Sequence, residues 1–251
     1  GYLFVGLQLP DAASLQRTQE ASAKIERMLQ TTPGVEHVTS VIGYNMLSKV
    51  SNSYSSFFYV SLKDWKDRVR PEEQFGAIKG RVNRSLAALP EGVAFSFAPP
   101  AIPGVGSSGG FTFVLEDRAG KDVNFLASNV TKFMQAARQR PELSGLFTTF
   151  LPAVPQLSLK VDRDRVLRQG VNLNDVYRTV QTFMGGTFVN YFNRFGRQWP
   201  VYVQAEGEYR TKPEDVGQFY VRGASGSMAP LSALTTIGPA TGPEFTMRYN
   251  L

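Results

Sequence analysis

Hydrophobic and polar positions change period along this chain in a fixed order. Residues 2–9 open with the apolar run Tyr2-Leu3-Phe4-Val5 and read as a strand. Residues 14–31 continue at helical spacing, with Leu15, Thr18, Ser22, Ile25 and Leu29 on one stripe and Asp11 or Ser14 available as N-cap. Pro33-Gly34 stops that helix, and residues 35–42 form a second strand. The same order then repeats as strand 57–65, helix 71–89 and strand 92–99. Pro71 with Glu72 and Glu73 suits a first helical turn, where a missing donor costs nothing and acids complement the dipole. Phe75, Ile78, Val82, Leu86 and Leu89 make its apolar stripe; Pro90-Glu91-Gly92 ends it, and Val93-Ala94-Phe95-Ser96-Phe97 alternates with period two. Two such units in series predict a ferredoxin-like βαββαβ module, a four-stranded sheet with both helices on one face.

Between the two units the spacing fails. Gly43, Tyr44, Asn45, Met46, Leu47 and Tyr54 lie in a Ser/Asn/Gly-rich stretch with neither helical nor strand period. We expect a mobile polar loop holding large apolar side chains, which fits a segment that gates or lines an apolar cavity better than a plain connector.

Pro99 to Gly110 is rich in proline, glycine and serine and reads as a linker or hinge. A third unit follows, with strand 111–116, helix 123–139 (Leu126, Val130, Phe133, Ala137) and strand 145–151. No fourth unit completes it. Residues 156–240 change texture: strand 157–161, helices 162–169 and 172–184 with Gly170 and Asn172 as caps, aromatic strands 187–195 and 199–206, helix 212–217, strand 219–221, and a tight turn at Ala224-Ser225-Gly226-Ser227. This block reads as an insertion into the third unit. The class is therefore α+β, in three parts. Residues 1–103 form a complete module, 104–152 with 241–251 form half of a second (βαβ), and 153–240 form an inserted mixed α/β subdomain. The chain begins without Met inside an apolar run, and an extended segment at 245–249 starts just before Leu251. We expect a piece of a longer chain, with the other half of the second module beyond residue 251.

Composition narrows the chemistry. There is no cysteine, and His37 is the single histidine, so thiolate sites, cysteine nucleophiles and paired imidazole ligands are absent. Asp162-Arg163-Asp164-Arg165 places two acids at a helix start beside two arginines, which reads as a cap and surface pairs. Gly104–Gly110 lacks the Lys-Ser/Thr of a phosphate loop, and no Gly-x-Ser-x-Gly elbow occurs. We expect no enzyme, no catalytic residue, no metal and no cofactor. The net charge of +6 is spread over predicted polar helix faces instead of one face, which argues against nucleic acid. The βαββαβ order also belongs to RNA-recognition modules, but the basic-Gly-aromatic opening of that motif is missing around Phe57, Phe58 and Tyr59. No apolar run approaches the ~18 residues that a membrane-spanning helix needs.

Several strings in one order match a known family: Val60-Ser61-Leu62-Lys63-Asp64-Trp65, Pro100-Ala101-Ile102, Gly185-Gly186-Thr187-Phe188-Val189-Asn190, Tyr209-Arg210, Tyr220-Val221-Arg222 and Arg248-Tyr249-Asn250. Over its whole length the chain resembles the second large periplasmic loop of the resistance–nodulation–division (RND) multidrug efflux pumps of the AcrB/MexB type. The resemblance implies two porter subdomains bordering a drug cleft, the second interrupted by a docking subdomain. It implies that Thr39, Val41, Tyr44, Met46 and Tyr59 line a deep pocket, that residues 44–54 are the switch loop, and that Phe95, Phe97, Pro99 and Phe147 belong to the outer entrance. The turn Ala224–Ser227 would face a periplasmic adaptor (membrane fusion) protein and an outer-membrane channel. The implied whole is a proton-driven homotrimer in a Gram-negative inner membrane, exporting amphiphilic drugs, dyes and detergents, with this chain on its periplasmic side. Family members carry more phenylalanine in the deep pocket and an arginine at the entrance. Thr39, Tyr44, Met46 and Phe147 stand here instead, which implies fewer ring contacts and a less cationic entrance. The alternative is a stand-alone ferredoxin-like binding module with no transport role.

Overall fold

The computed structural model describes residues 1–100 and 110–248, in two compact units: Gly1–Val154 with Pro243–Leu251, and Pro155–Gly242. Most of the expected linker, residues 101–109, and Tyr249 with Asn250 of the last matching string lie outside the described residues.

The first unit contains β1 (Tyr2–Gln8), α1 (Leu15–Gln30), β2 (Val35–Asn45), β3 (Val50–Leu62), α2 (Phe75–Ala87) and β4 (Val93–Phe97). Its four strands lie in the order β2-β3-β1-β4, all neighbours antiparallel, which is the ferredoxin-like arrangement. Period-two alternation sends Leu3, Val5, Leu7, Phe58, Val60 and Leu62 to one face, where they meet Ala21, Ile25 and Leu29 of α1 and Ile78, Val82 and Leu86 of α2. Polar pairs fix the stacking of helix on sheet: the Ser22 hydroxyl donates to Ser56 Oγ at 2.8 Å, and Asn83 Oδ1 accepts from both Ser96 N and Ser96 Oγ at 2.8 Å. Ser14, one of the two expected caps, accepts the Arg17 N–H.

Three expectations are corrected. The loop read between the units is a long β-hairpin, because β2 runs to Asn45 and β3 starts at Val50. Gly43, Tyr44 and Asn45 thus belong to a strand, only 46–49 turns, and Tyr54 is buried in the main core. Ser55 and Ser56 pair with β1, Ser51 pairs with Tyr44, and Ser53 is held by hydrogen bonds with Ala13 and Thr18. Helix 71–89 is two pieces: a short 3₁₀ turn at Pro71–Glu73 and then α2, separated by the extended Gln74, whose side-chain amide donates to the Arg68 carbonyl at 2.6 Å. Finally, residues 111–116 and 145–151 form no strand, although α3 (Val123–Arg138) between them is present and Phe113 stacks on its Phe133 at 4.8 Å. In the complete sheet the first and second strands are not neighbours, since the third lies between them, and among the described residues no strand pairs with 111–116 or 145–151.

The second unit holds β5 (Val154–Val161) from its second residue on, α4 (Arg163–Arg168), α5 (Leu173–Val180), β6 (Thr187–Arg194), β7 (Arg197–Val203), β8 (Tyr220–Arg222), β9 (Met228–Pro230), α6 (Leu231–Leu234) and β10 (Thr235–Gly242). The strands pair two by two, β5 with β10, β6 with β7 and β8 with β9. Asp162 and Asn172 cap α4 and α5, and Gly170 takes the left-handed φ of +62° between them. The expected helix 172–184 ends in a π-helical turn over Gln181–Gly185, and 212–217 is a 3₁₀ turn, Pro213–Gln218. The core is small and aliphatic: Val166, Val176, Val216, Val221, Leu231 and Leu234.

Candidate functional site

The helices cover one face of the four-stranded sheet. The other face carries rings. The alternation that buries Leu3 and Val5 sends Tyr2, Phe4 and Gly6 the opposite way, and the register sets Phe4 between Tyr59 of β3 and Phe97 of β4. Phe4 lies 5.2 to 5.8 Å, centroid to centroid, from Phe57, Phe97 and Tyr59, all tilted. Tyr2 stacks on Tyr59 at 5.1 Å, Phe95 meets Phe97 at 5.9 Å, and Phe147 reaches Phe95 at 5.6 Å. Tilted pairs at these separations are the favoured geometry of aromatic quadrupoles. Gly6, opposite both Phe57 and Phe95, leaves room on the central strand: a methyl there would sit 3.6 Å from the Phe95 ring.

The hairpin closes over this face. Tyr44, Met46 and Leu47 pack against the cluster of Phe4, Phe57 and Phe97. The Asn45 side-chain oxygen accepts the N–H groups of Leu47 (3.0 Å) and Ser48 (3.2 Å), an Asx turn that fixes the tip, and Lys49 takes the left-handed φ of +59°. Below the tip, β2 and β3 fall out of step. Ile42 pairs with Ser56 and Tyr44 with Ser51, so residues 52–55 stand opposite Gly43 alone, whose φ is +86°.

Of the residues expected at the deep pocket, Tyr44, Met46 and Tyr59 join the ring cluster. Thr39 and Val41 sit beside Tyr59 and Phe57 in register and are exposed. Of the entrance residues, Phe95, Phe97 and Phe147 are linked ring to ring, while Pro99 lies past the end of β4. Tyr54 is elsewhere: it is 5% exposed in the core, and its hydroxyl donates to Glu244 at 2.6 Å. Burial above all, and then that hydrogen bond and the nearby Glu244 and Asp11 charges, hold its phenol well above the ordinary tyrosine range. Tyr2, Phe4 and Phe57 are the additions. Their signal was in the sequence, as aromatics at alternate positions, but an apolar run does not say which half faces the helices.

In the second unit, the turn Ala224–Ser227 is exposed and tightly built: Gly223 N donates to Ser227 O at 2.7 Å and Ala224 N to Gly170 O at 2.8 Å. It borders an open hollow lined by Asn172, Asp175 and Arg222. Asp215 accepts the N–H groups of Thr211 and Lys212 at 2.9 Å, bonds that hold its carboxyl below the usual range. Among the described residues no three His, Asp or Glu side chains converge as metal ligands, and no helix is long and apolar enough to cross a membrane.

Comparison with known proteins gives the family. A model of the AcrB/AcrD/AcrF family matches residues 1–251. The chain is similar to the multidrug export protein AcrF of Escherichia coli (strain K12), 34% identical over 253 residues, 100% of the chain and 24% of AcrF. It is 30% identical over 251 residues to the solvent-resistant pump membrane transporter SrpB of Pseudomonas putida, with 99% and 24% covered. The multidrug resistance protein MdtF of Escherichia coli (strain K12) is 31% identical over 253 residues, with 100% and 24% covered. The chain spans about a quarter (24%) of the length of these relatives.

Proposed function

The chain belongs to the AcrB/AcrD/AcrF family of RND multidrug efflux transporters, a family of transporters and not of enzymes, and from that premise we propose that its aromatic sheet face is a binding surface for amphiphilic export substrates. The observation that carries this is the cluster of Phe4, Phe57 and Phe97 with Tyr44, Met46 and Leu47 packed over it from the hairpin. Rings and a thioether give large apolar contact with few directional demands, so compounds of different shape bind with similar strength. The cluster is apolar apart from its tyrosine hydroxyls, which suits capture and release. In this reading residues 1–103 form one porter subdomain, 104–152 and 241–251 half of another, and 153–240 a docking subdomain whose Ala224–Ser227 turn meets an adaptor and an outer-membrane channel. The setting is the periplasmic side of a proton-driven trimer. The hairpin tip, Tyr44 to Leu47, takes the part of the switch between inner and outer pockets. The stand-alone alternative loses its motive once the whole chain matches a transporter family.

The test uses the full-length parent pump. Tyr44→Ala and Met46→Ala should change susceptibility unevenly across a panel of dyes, detergents and antibiotics, at unchanged pump abundance. No change for any compound would sink the proposal, and a uniform loss would point to folding instead.

A further inference from the structure

The hairpin tip that covers the aromatic face leaves the sheet at a discontinuity, and something must hold it there. Up to Ile42 on β2 and Ser55 on β3, which still pairs with Gln8 of β1, the hairpin is part of the four-stranded sheet; beyond the step at Gly43 its ladder is that of Tyr44 and Asn45 with Ser51 and Val50. A two-stranded ribbon is marginal alone. Its direction therefore depends on what grips residues 52–55. Ser53 is held to the body of the module, donating through its hydroxyl to Ala13 O at 2.7 Å and accepting through its backbone carbonyl from Thr18 Oγ1 at 2.6 Å. Leu9 N donates to Tyr54 O at 2.8 Å. The last grip before the tip is of another kind. Glu244, 192 residues away in sequence, accepts through one oxygen from Asn52 Nδ2 at 2.7 Å and from the Tyr54 hydroxyl at 2.6 Å. Asn52 uses its other side-chain atom to accept the Tyr54 N–H at 3.2 Å.

Glu244 is itself placed from outside the hairpin. Its backbone N–H donates to Leu151 O at 3.1 Å, and Leu151 packs against the main core. Glu244 thus ties the hairpin to the Leu151 segment. A half-buried carboxyl taking two short hydrogen bonds is a strong constraint, because two donors converge on one acceptor and would be left unpaired without it.

We propose that Glu244 is a positioning residue: through Asn52 and Tyr54 it clamps the kink of the β2–β3 hairpin and so sets how the Tyr44–Leu47 tip lies over the aromatic face. The clamp stands on geometry alone, whereas its consequence for ligands rests on the function proposed above.

Hydrogen exchange of the 251-residue chain, followed by mass spectrometry, tests it. In Glu244→Ala, exchange in peptides spanning 44–54 should rise on the order of tenfold or more, the least expected on losing one such bond. Peptides from α1 (15–30) and α2 (75–87) should stay unchanged. Glu244→Gln, which keeps an acceptor oxygen, should stay close to wild type, and Tyr54→Phe should fall between. The same variants are titrated with an amphiphilic dye. Loosening confined to 44–54 with weakened dye binding supports both the clamp and the function. Loosening with unchanged dye affinity supports the clamp and counts against the function. Unchanged exchange at 44–54, or acceleration shared equally by α1 and α2, overturns the clamp.

Discussion

Replacing Phe4 tests whether the rings behave as one cluster or as separate surface side chains. Phe4 is 8% exposed and touches four rings, those of Tyr2, Phe57, Tyr59 and Phe97. Phe4→Leu keeps most of the apolar burial and deletes the ring contacts. At the low end of the usual range, about 0.5 kcal/mol per pair, four pairs give a loss of about 2 kcal/mol, and Phe4→Ala should cost about 3–4 kcal/mol. The two tryptophans make this measurable although the chain has two units, since Trp65 is in the first and Trp199 in the second. In a Trp199→Phe background, urea unfolding followed by tryptophan fluorescence reports the first unit alone. A double-mutant cycle with Phe97→Leu should then show a coupling of about 0.5–1 kcal/mol. Additivity to within about 0.3 kcal/mol, the scatter seen for independent sites, would refute the cluster reasoning.

Other expectations follow from single contacts. Gly92→Ala should destabilise the first unit by about 2 kcal/mol or more, because an added Cβ would clash with the Gln8 carbonyl oxygen and force the start of β4 away from β1; chemical denaturation measures it. The raised Tyr54 pKa makes stability fall at alkaline pH. The unfolded phenol releases its proton near pH 10 while the folded one keeps it, so stability is complete below that value and declines above it. Urea midpoints between pH 9 and 11 should show this slope, and Tyr54→Phe should flatten it. Glu91 gives the opposite sign: its hydrogen bond and ion pair with Lys24 hold its carboxyl below the ordinary range, so Lys24→Met should lessen the loss of stability between pH 5 and 3.

How far the chain could be read beforehand depended on whether the deciding contacts were local. The βαββαβ order was legible because α1, β2, α2 and β4 each announce themselves by period and by their stops, such as Pro33-Gly34 and Pro90-Glu91-Gly92. Phe95, Phe97, Tyr59 and Tyr44 were legible as site candidates through resemblance, and the structure brings them together. The hairpin was not legible. Residues 50–56 contain five serines or asparagines, poor strand formers whose partners are distant: Ser55 and Ser56 pair with β1, and Ser53 is held by Ala13 and Thr18. Nor could Tyr54 be assigned, since its partner Glu244 is 190 residues away. The strands expected at 111–116 and 145–151 did not form, because a period-two pattern makes a strand only where a neighbour supplies ladder partners, and among the described residues none pairs with either segment.

The central claim is that amphiphiles bind on the ring-bearing face of the sheet beneath the hairpin tip. Photo-crosslinking of the chain with a diazirine-bearing amphiphilic dye, read by peptide mapping, tests it most directly. The account predicts saturable labelling of the segments holding Tyr44–Leu47, Phe57–Tyr59 and Phe95–Phe97, competed by unlabelled dye and lost in the Tyr44→Ala/Met46→Ala/Tyr59→Ala variant. Labelling that instead follows exposed apolar residues at large, such as Leu167 (74% exposed) and Phe195 (83% exposed), and does not saturate would contradict it.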